Sequence, residues 1–117
     1  MEFSMLLRES EPQSYAQGDV IFRAGEDGDL MYVVQEGEVS LSSGGTEVET
    51  VGPNSLFGEM ALIDDEPRSA TAVARTACLL VPIDRTRFER LVGMTPRFAT
   101  SVMKLMADRI RGMNPSP

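Results

Sequence analysis

Residues 57–72 read FGEMALIDDEPRSATA, and this stretch interrupts a series of short, β-prone segments. The letters EMALI are good helix formers that follow Phe57 and Gly58, so they predict a single helical turn with its N-terminus near Gly58 and Glu59. Pro67 then ends the helical turn, because proline cannot continue a helix. The stretch therefore predicts a loop with one helical turn between two strands, a common setting for ligand-binding residues.

The residue types in this loop suit a bound phosphate. The first amides of a helix lack partners within it and carry partial positive charge, and Gly58 allows a ligand to approach the backbone closely. Arg68 offers a planar guanidinium that can hold two phosphate oxygens at once. The amides of Ser69 and Ala70, with the Ser69 hydroxyl, supply further donors. The loop thus predicts an anion site with Arg68 as its main charged contact.

Glu59 indicates a second chemical group on the ligand. A carboxylate beside a phosphate would repel it, unless the carboxylate faces a pair of hydroxyls such as those of a ribose. Taken alone, Arg68 is also compatible with a surface arginine, Glu59 with a solvated carboxylate and Gly58 with a turn glycine. Their order and spacing favour a ligand that carries both a phosphate and a sugar.

The segments around the loop read as an all-β domain. From residue 18 to about residue 81, the runs DVIFR, LMYVVQ, EVSLS and EVETV are separated by glycine-rich or polar turns about every 8–12 residues, which is typical of a sandwich or barrel. Glu36-Gly37 predicts a hairpin over residues 30–41, and Gly44-Gly45 predicts a second one. The alternation in EVETV predicts one solvent-facing side of that strand.

Two helices are expected after the strands. In DRTRFERLVG, Asp84 is the predicted N-cap and Gly93 the predicted stop. Thr95 can cap the next helix, and Pro96 suits its first position. Apolar residues then recur at helical spacing, namely Phe98, Val102, Leu105, Met106, Ile110 and Met113. This stripe predicts a helix that packs on its own domain, meets a partner helix, forms a homodimer seam or acts as a movable lid over a ligand.

Composition limits the class of protein. The chain has 117 residues, 42% of them hydrophobic, which suits one domain over residues 1–117, with strands over about 14–82 and helices over about 84–112. Its net charge is −7 and its eleven Lys and Arg form no dense run, so no direct contact with nucleic acid is expected. No apolar run approaches a membrane span, and Cys78 is expected to be a buried core residue in a reducing compartment. We therefore expect a cytoplasmic protein.

The sequence contains no histidine, which removes several functional classes. Ser-His-Asp and Cys-His catalysis lose their base, histidine-ligated metal sites are impossible, and a small enzyme of the cupin kind loses its metal ligands. Residues 64–66 are three consecutive acids, but they lack the alternating spacing of a calcium loop and are expected to form a solvated loop tip. We therefore expect neither an enzyme nor a metal site.

Residues 57–72 resemble the phosphate-binding cassette of cyclic nucleotide-binding domains. Such domains occur in regulatory subunits of cyclic-AMP-dependent protein kinase, in nucleotide-gated channels and in the catabolite activator protein. The upstream DVIFRAGEDGDLMYVVQEGEVSL and the downstream LMADRIR extend the resemblance over nearly the whole chain. It implies a mainly β fold, an eight-stranded β jelly-roll followed by two C-terminal α-helices, with a helix before the roll shortened to FSMLLRES. It also implies cyclic AMP or cyclic GMP as the ligand, with no further cofactor.

The resemblance also implies roles for individual residues. Gly58 and the amides after it would meet the cyclic phosphate, Glu59 the ribose 2′-hydroxyl, and Arg68 the exocyclic phosphate oxygens. The implied ligand-binding set is Gly58, Glu59, Met60, Ala61, Arg68, Ser69 and Ala70. On the last helix, Arg109 would cover the base by a cation-π contact, with Ile110 and Arg111 as rivals for that role.

Ser69 departs from the pattern of the kinase subunits, in which a small apolar residue usually follows the arginine. A hydroxyl at this place resembles sites that accept the guanine amino group, although it also occurs in sites for cyclic AMP. Ser69 is thus compatible with either ligand, and of the two we favour cyclic AMP over cyclic GMP.

The expected function is a sensor that binds a cyclic nucleotide and relays the event through its C-terminal helices. Only six residues follow Arg111, so the effector is expected in a partner protein, in self-association through the last helix, or in sequence outside this chain. Two alternatives remain open at this point. One is a jelly-roll interaction module that binds no nucleotide, and the other is the sensor half of a larger transcription regulator or channel.

Overall fold

A computed structural model describes residues 11–113, which form two four-stranded antiparallel sheets followed by two longer helices. The elements are β1 (Gln13–Tyr15), β2 (Val20–Phe22), β3 (Leu30–Glu36), β4 (Val39–Ser43), β5 (Thr46–Val51), β6 (Leu56–Phe57), α1 (Met60–Ile63), β7 (Thr71–Ala74), β8 (Cys78–Asp84), α2 (Arg85–Met94) and α3 (Pro96–Met113). The predicted mainly β fold with eight strands and C-terminal helices is confirmed. The short helix expected at residues 3–10 lies outside the described residues.

The two sheets pack against each other through one apolar cluster. One sheet has the order β1-β8-β3-β6, and the other has the order β2-β7-β4-β5. Side chains from both sheets meet between them, among them Tyr32, Val34, Val39, Phe57, Ala72 and Leu80. Cys78 belongs to this cluster and is buried, as its apolar surroundings in the sequence indicate.

A second apolar cluster joins the β1-β8-β3-β6 sheet to the helices. Met31 and Val33 of β3 face Phe88 of α2 and Phe98 of α3, whose rings meet edge to face at 6.0 Å between centroids. Because alternate residues of β3 enter different clusters, this strand is buried on both faces. That double burial explains why its sequence is a continuous apolar run.

The hairpin predicted over residues 30–41 is wrong. β3 pairs with β6 and β8, whereas β4 pairs with β5 and β7, so the two strands lie in different sheets. Gly37 does turn the chain, with a φ of 89°, but the turn carries it from one sheet to the other. The second predicted hairpin is confirmed, because Ser43 pairs with Thr46 around Gly44 and Gly45. Apolar alternation indicates a strand but does not specify the neighbouring strand with which it pairs.

The helix boundaries follow the predicted caps closely. The Asp84 side chain accepts a hydrogen bond of 2.8 Å from the Arg87 amide, which confirms Asp84 as an N-cap. α2 ends at Met94, one residue after the predicted stop. α3 begins at Pro96, as predicted. Within residues 11–113, no helix combines the length and the apolar character that a membrane crossing requires.

Candidate functional site

A cavity of about 790 Å³ lies between the 58–70 segment, β5 and α3, within the size range of small-molecule sites. All the predicted site residues line it, namely Gly58, Glu59, Met60, Ala61, Arg68, Ser69, Ala70 and Arg109. The tertiary structure thus brings the residues of the loop and one residue of the last helix, far away in sequence, to the same cavity. Of the two rivals of Arg109, Ile110 lines the cavity, and Arg111 is absent from the described lining residues.

Arg68 is buried, with 8% of its surface exposed, and so it is not an ordinary surface arginine. Nη1 donates a hydrogen bond of 3.0 Å to the Gly58 carbonyl, and Nη2 donates one of 2.7 Å to the Leu30 carbonyl. The guanidinium carbon lies 3.9 Å from the centre of the Phe22 ring, which is a cation-π contact. These contacts hold the guanidinium in one place at the wall of the cavity.

The Nε atom of Arg68 differs from the other two guanidinium nitrogens, which both donate hydrogen bonds. Among the described residues, its Nε is a buried polar atom without a hydrogen-bond partner. Burial lowers the pKa of the Arg68 guanidinium, while the neighbouring Tyr32, Asp29 and Glu59 act to raise it. Burial also raises the pKa of Tyr32 to about 12, so its hydroxyl stays neutral at physiological pH and does not cancel the charge of Arg68. A buried cation at the wall of a cavity suits an anionic ligand.

The β2–β3 loop also positions Arg68. Two hydrogen bonds of 2.8 Å join the Arg68 main chain to this loop. One runs from the Arg68 amide to the Glu26 carbonyl, and the other from the Gly25 amide to the Arg68 carbonyl. A Cβ atom at Gly28 would lie 2.3 Å from Nε and 2.4 Å from Cζ of Arg68. Gly28 therefore leaves the space that the guanidinium occupies. Neither Phe22 nor Gly28 is identified from the sequence, because both lie at least 40 residues before Arg68.

We expect Gly28→Ala to weaken the binding of an anionic ligand by about tenfold, because the new methyl group displaces the guanidinium from its place against Phe22. The fold should tolerate the change, since the atoms in the way belong to the end of a flexible side chain. Gly52→Ala is the matched control, because a Cβ at Gly52 meets nothing within 4 Å. Calorimetric titration of both variants checks this, and equal affinities would contradict the role of Gly28.

Glu59 does not lie in solvent, because its side chain is buried against α3. Only 3% of the residue is exposed, and Oε1 accepts a hydrogen bond of 2.7 Å from Nη1 of Arg109. Nε of Arg109 also contacts Glu49 on β5 at 2.8 Å, and Nη2 donates to the Leu56 carbonyl. Arg109 therefore ties α3 to two carboxylates at the cavity wall. Oε1 of Glu59 is thus engaged in the ion pair with Arg109.

Arg109, the expected cover for a base, is thus engaged in ion pairs in this structure. Its stacking on a base stays a prediction. Sequence reasoning missed Glu49, because its place in the alternating run EVETV indicated only a solvent-facing position. The predicted alternation is wrong, because residues 46–48 are all exposed and burial increases toward Val51, so that Glu49 is half-buried and contacts α3.

The remaining wall of the cavity is largely apolar. Leu41 and Val48 line it from the sheet, and Met106 and Ile110 line it from α3. Apolar side chains on two sides suit a flat aromatic group, whereas the buried charges of Arg68 and Glu59 lie on the 58–70 segment. The cavity thus combines a polar part with an apolar part.

Residues 64–66 form an exposed local turn. Oδ1 of Asp64 accepts a hydrogen bond of 3.0 Å from the Glu66 amide, as in a local turn. Within the described part of the chain, no group of three or more acidic or cysteine side chains is arranged to hold a metal ion.

Comparisons with known proteins agree with this geometry. Residues 12–94 match the family model described as "Cyclic nucleotide-binding domain". A cAMP-dependent protein kinase regulatory subunit of Eremothecium gossypii is 38% identical over 89 residues, which cover 76% of this chain and 19% of that protein. A cyclic nucleotide-gated potassium channel of Mesorhizobium japonicum is 39% identical over 104 residues, which cover 89% of this chain and 29% of the channel. The chain thus matches less than a third of the length of these curated relatives.

The fold is also similar to a solved structure. The crystal structure of the Thermus thermophilus catabolite activator protein superposes with a TM-score of 0.82 and 35% sequence identity. The match covers 97% of this chain and 55% of that one.

Proposed function

Because this chain belongs to the cyclic nucleotide-binding domain family, we propose that it binds a cyclic nucleoside monophosphate, preferring cyclic AMP to cyclic GMP, and relays binding through α2 and α3. The observation that carries the proposal is the meeting of Arg68 and Glu59 at one cavity of suitable size. A buried guanidinium at the cavity wall matches a phosphate, and a buried carboxylate at the same cavity matches a ribose hydroxyl. Burying the charges of Arg68 and Glu59 costs desolvation free energy. A jelly-roll that bound no nucleotide would gain nothing from that burial.

In the proposed complex, Arg68 contacts the exocyclic oxygens of the cyclic phosphate, together with the amides that follow Gly58. Glu59 accepts a hydrogen bond from the ribose 2′-hydroxyl. Ser69 lies between phosphate and base, and the base occupies the apolar part of the cavity. The contact of Ile110 with that part makes it a second candidate, beside Arg109, for covering the base.

Calorimetric titration of the wild-type chain with cyclic AMP and cyclic GMP tests the proposal. We expect both to bind, cyclic AMP more tightly, and 5′-AMP to bind poorly because it lacks the ring phosphate. Ser69→Ala should lower the affinity for cyclic GMP by about fivefold to tenfold and leave cyclic AMP nearly unchanged, if the hydroxyl contacts the guanine amino group. No heat of binding from either cyclic nucleotide at millimolar concentration would contradict the proposal.

Relay of the signal depends on α3, because Arg109 links this helix to the Glu59 that we place at the ribose. A ligand can move α3 only if it binds one position of the helix better than another. The proposed sensor is one domain without catalytic activity, in the cytoplasm, and its effector is a partner protein or a further part of a longer chain. Regulatory roles of this kind are consistent with the names of the relatives.

A homodimer through α3 is part of the proposal. Phe98 and Val102 are buried within the domain, whereas Met103 and Ile110 expose 61% and 56% of their surface two helical turns apart. Apolar side chains at this spacing can form a seam between two helices. Sedimentation velocity at increasing concentration should show a dimer that Met103→Glu weakens. A wild-type chain that stays monomeric at all concentrations would reject the dimer.

A further inference from the structure

Arg85, the first residue of α2, reaches the end of α1 in the 58–70 segment. Nη1 donates a hydrogen bond of 2.8 Å to the Leu62 carbonyl, and Nη2 donates one of 3.3 Å to the Ala61 carbonyl. Nη2 also contacts Oδ1 of Asp65 in an ion pair. One guanidinium thus binds three acceptors that lie 20 to 24 residues earlier in the chain.

The short helix α1 needs such a contact at its end. The last carbonyls of a helix have no partner within it. The Asp64 amide donates to the Met60 carbonyl at 3.0 Å, and the next two carbonyls, those of Ala61 and Leu62, receive their hydrogen bonds from Arg85. A cation is also favoured at this end of a helix, because the helix dipole is negative there.

The contact with Asp65 fixes the turn that leads into Arg68. Asp65 has a φ of 58°, a left-handed conformation that is uncommon for residues other than glycine. Its carboxylate is held by Arg85, and only Glu66 and Pro67 separate it from Arg68. Arg85 thus contacts the turn that precedes Arg68, whose own main chain is hydrogen-bonded to the β2–β3 loop.

Leu62 receives a second contact from the helices. Its side chain is 3% exposed and packs in the cluster that contains Phe88 of α2 and Phe98 of α3. Leu62 is thus linked to α2 through the hydrogen bond at its carbonyl, and its side chain shares an apolar cluster with Phe88. The 58–70 segment is therefore joined to the start of α2 by both polar and apolar packing.

We infer that Arg85 is a positioning residue that holds the 58–70 segment in its ligand-binding geometry and couples that segment to α2. This inference rests on the proposed function, because the ligand of the 58–70 segment is taken to be the proposed cyclic nucleotide, with its phosphate at Arg68. Arg85 acts through the backbone of the segment and does not touch the base. The loss of Arg85 must therefore weaken the binding of cyclic AMP and of cyclic GMP by the same factor.

The test compares Arg85→Gln with Arg90→Gln, which removes an equal charge from an exposed position on the same helix. In the ligand-free protein, Arg85→Gln should speed hydrogen exchange at the amides of Leu62 and Asp64 and leave those of β3 unchanged. Affinity should fall about tenfold for both nucleotides, with thermal unfolding near that of the wild type. Arg85→Lys should recover part of the loss, because an ammonium group reaches fewer of the three acceptors.

Unchanged exchange in the 58–70 segment of Arg85→Gln would overturn the inference, and so would unequal losses for the two nucleotides. If Arg85→Gln does not fold, Asp65→Asn replaces it, since asparagine tolerates the left-handed backbone but lacks the charge that meets Arg85. That variant should show a smaller loss of the same kind, and no loss would overturn the inference. A wild-type chain that binds no nucleotide would reject the proposed function, and the exchange result would still decide the role of Arg85.

Discussion

Arg68→Ala is expected to weaken cyclic AMP binding by about 30-fold to several thousandfold, which corresponds to roughly 2–5 kcal/mol. The side chain is buried at the cavity, so its removal takes away the charge that we propose contacts the phosphate. The variant also leaves the Gly58 and Leu30 carbonyls without their donor, which should lower stability to a smaller degree. Calorimetric titration and urea unfolding of the same sample separate the two effects.

Two further variants make this result specific. Arg68→Lys keeps the charge but loses the planar fork, and we expect an affinity between those of the wild type and the alanine variant. Arg75→Ala is the control, since Arg75 is exposed and contacts Glu47 and Thr50 away from the cavity. It should bind like the wild type. Equal affinities for Arg68→Ala and Arg75→Ala would remove Arg68 from the ligand site.

Arg109→Ala is expected to lower the free energy of unfolding by about 2–4 kcal/mol, because it leaves a buried carboxylate without its partner. The Glu59 side chain is only 4% exposed and that of Arg109 only 16%, so water screens the pair weakly. Glu49 also loses its contact with α3. Urea unfolding of the ligand-free chain measures the loss, and Arg111→Ala, on the exposed side of the same helix, should cost far less.

A double-mutant cycle with Glu59→Gln identifies the cause. If the cost of Arg109→Ala comes from the unpaired carboxylate, the same change in the Glu59→Gln background should cost less by about 1–3 kcal/mol. The cycle is measured without nucleotide, because Glu59→Gln should also weaken nucleotide binding by removing the proposed contact with the ribose. Additive losses of stability would show that the two side chains do not interact as the structure describes.

Much of the site could be predicted from the sequence because its parts are close together along the chain. Gly58, Glu59, Arg68 and Ser69 lie within twelve residues, so their place in one loop follows from their closeness along the chain. Their assignment as ligand contacts stays a proposal, but their meeting at one cavity is a fact of the structure. The helix starts at Asp84 and Pro96 were predictable for the same reason, because caps act within a single turn.

The sequence by itself determined where the strands, turns and helix starts lie, since alternation, glycine turns and caps depend on neighbours a few residues away. Only the tertiary structure decided that β3 and β4 enter different sheets, because an apolar alternating strand fits more than one partner. It also decided that Arg109 meets Glu59, 50 residues earlier, and that Phe22 and Gly28 enclose Arg68. Such contacts depend on how the sheets and helices pack around a shared core, and no local pattern of residue types specifies them.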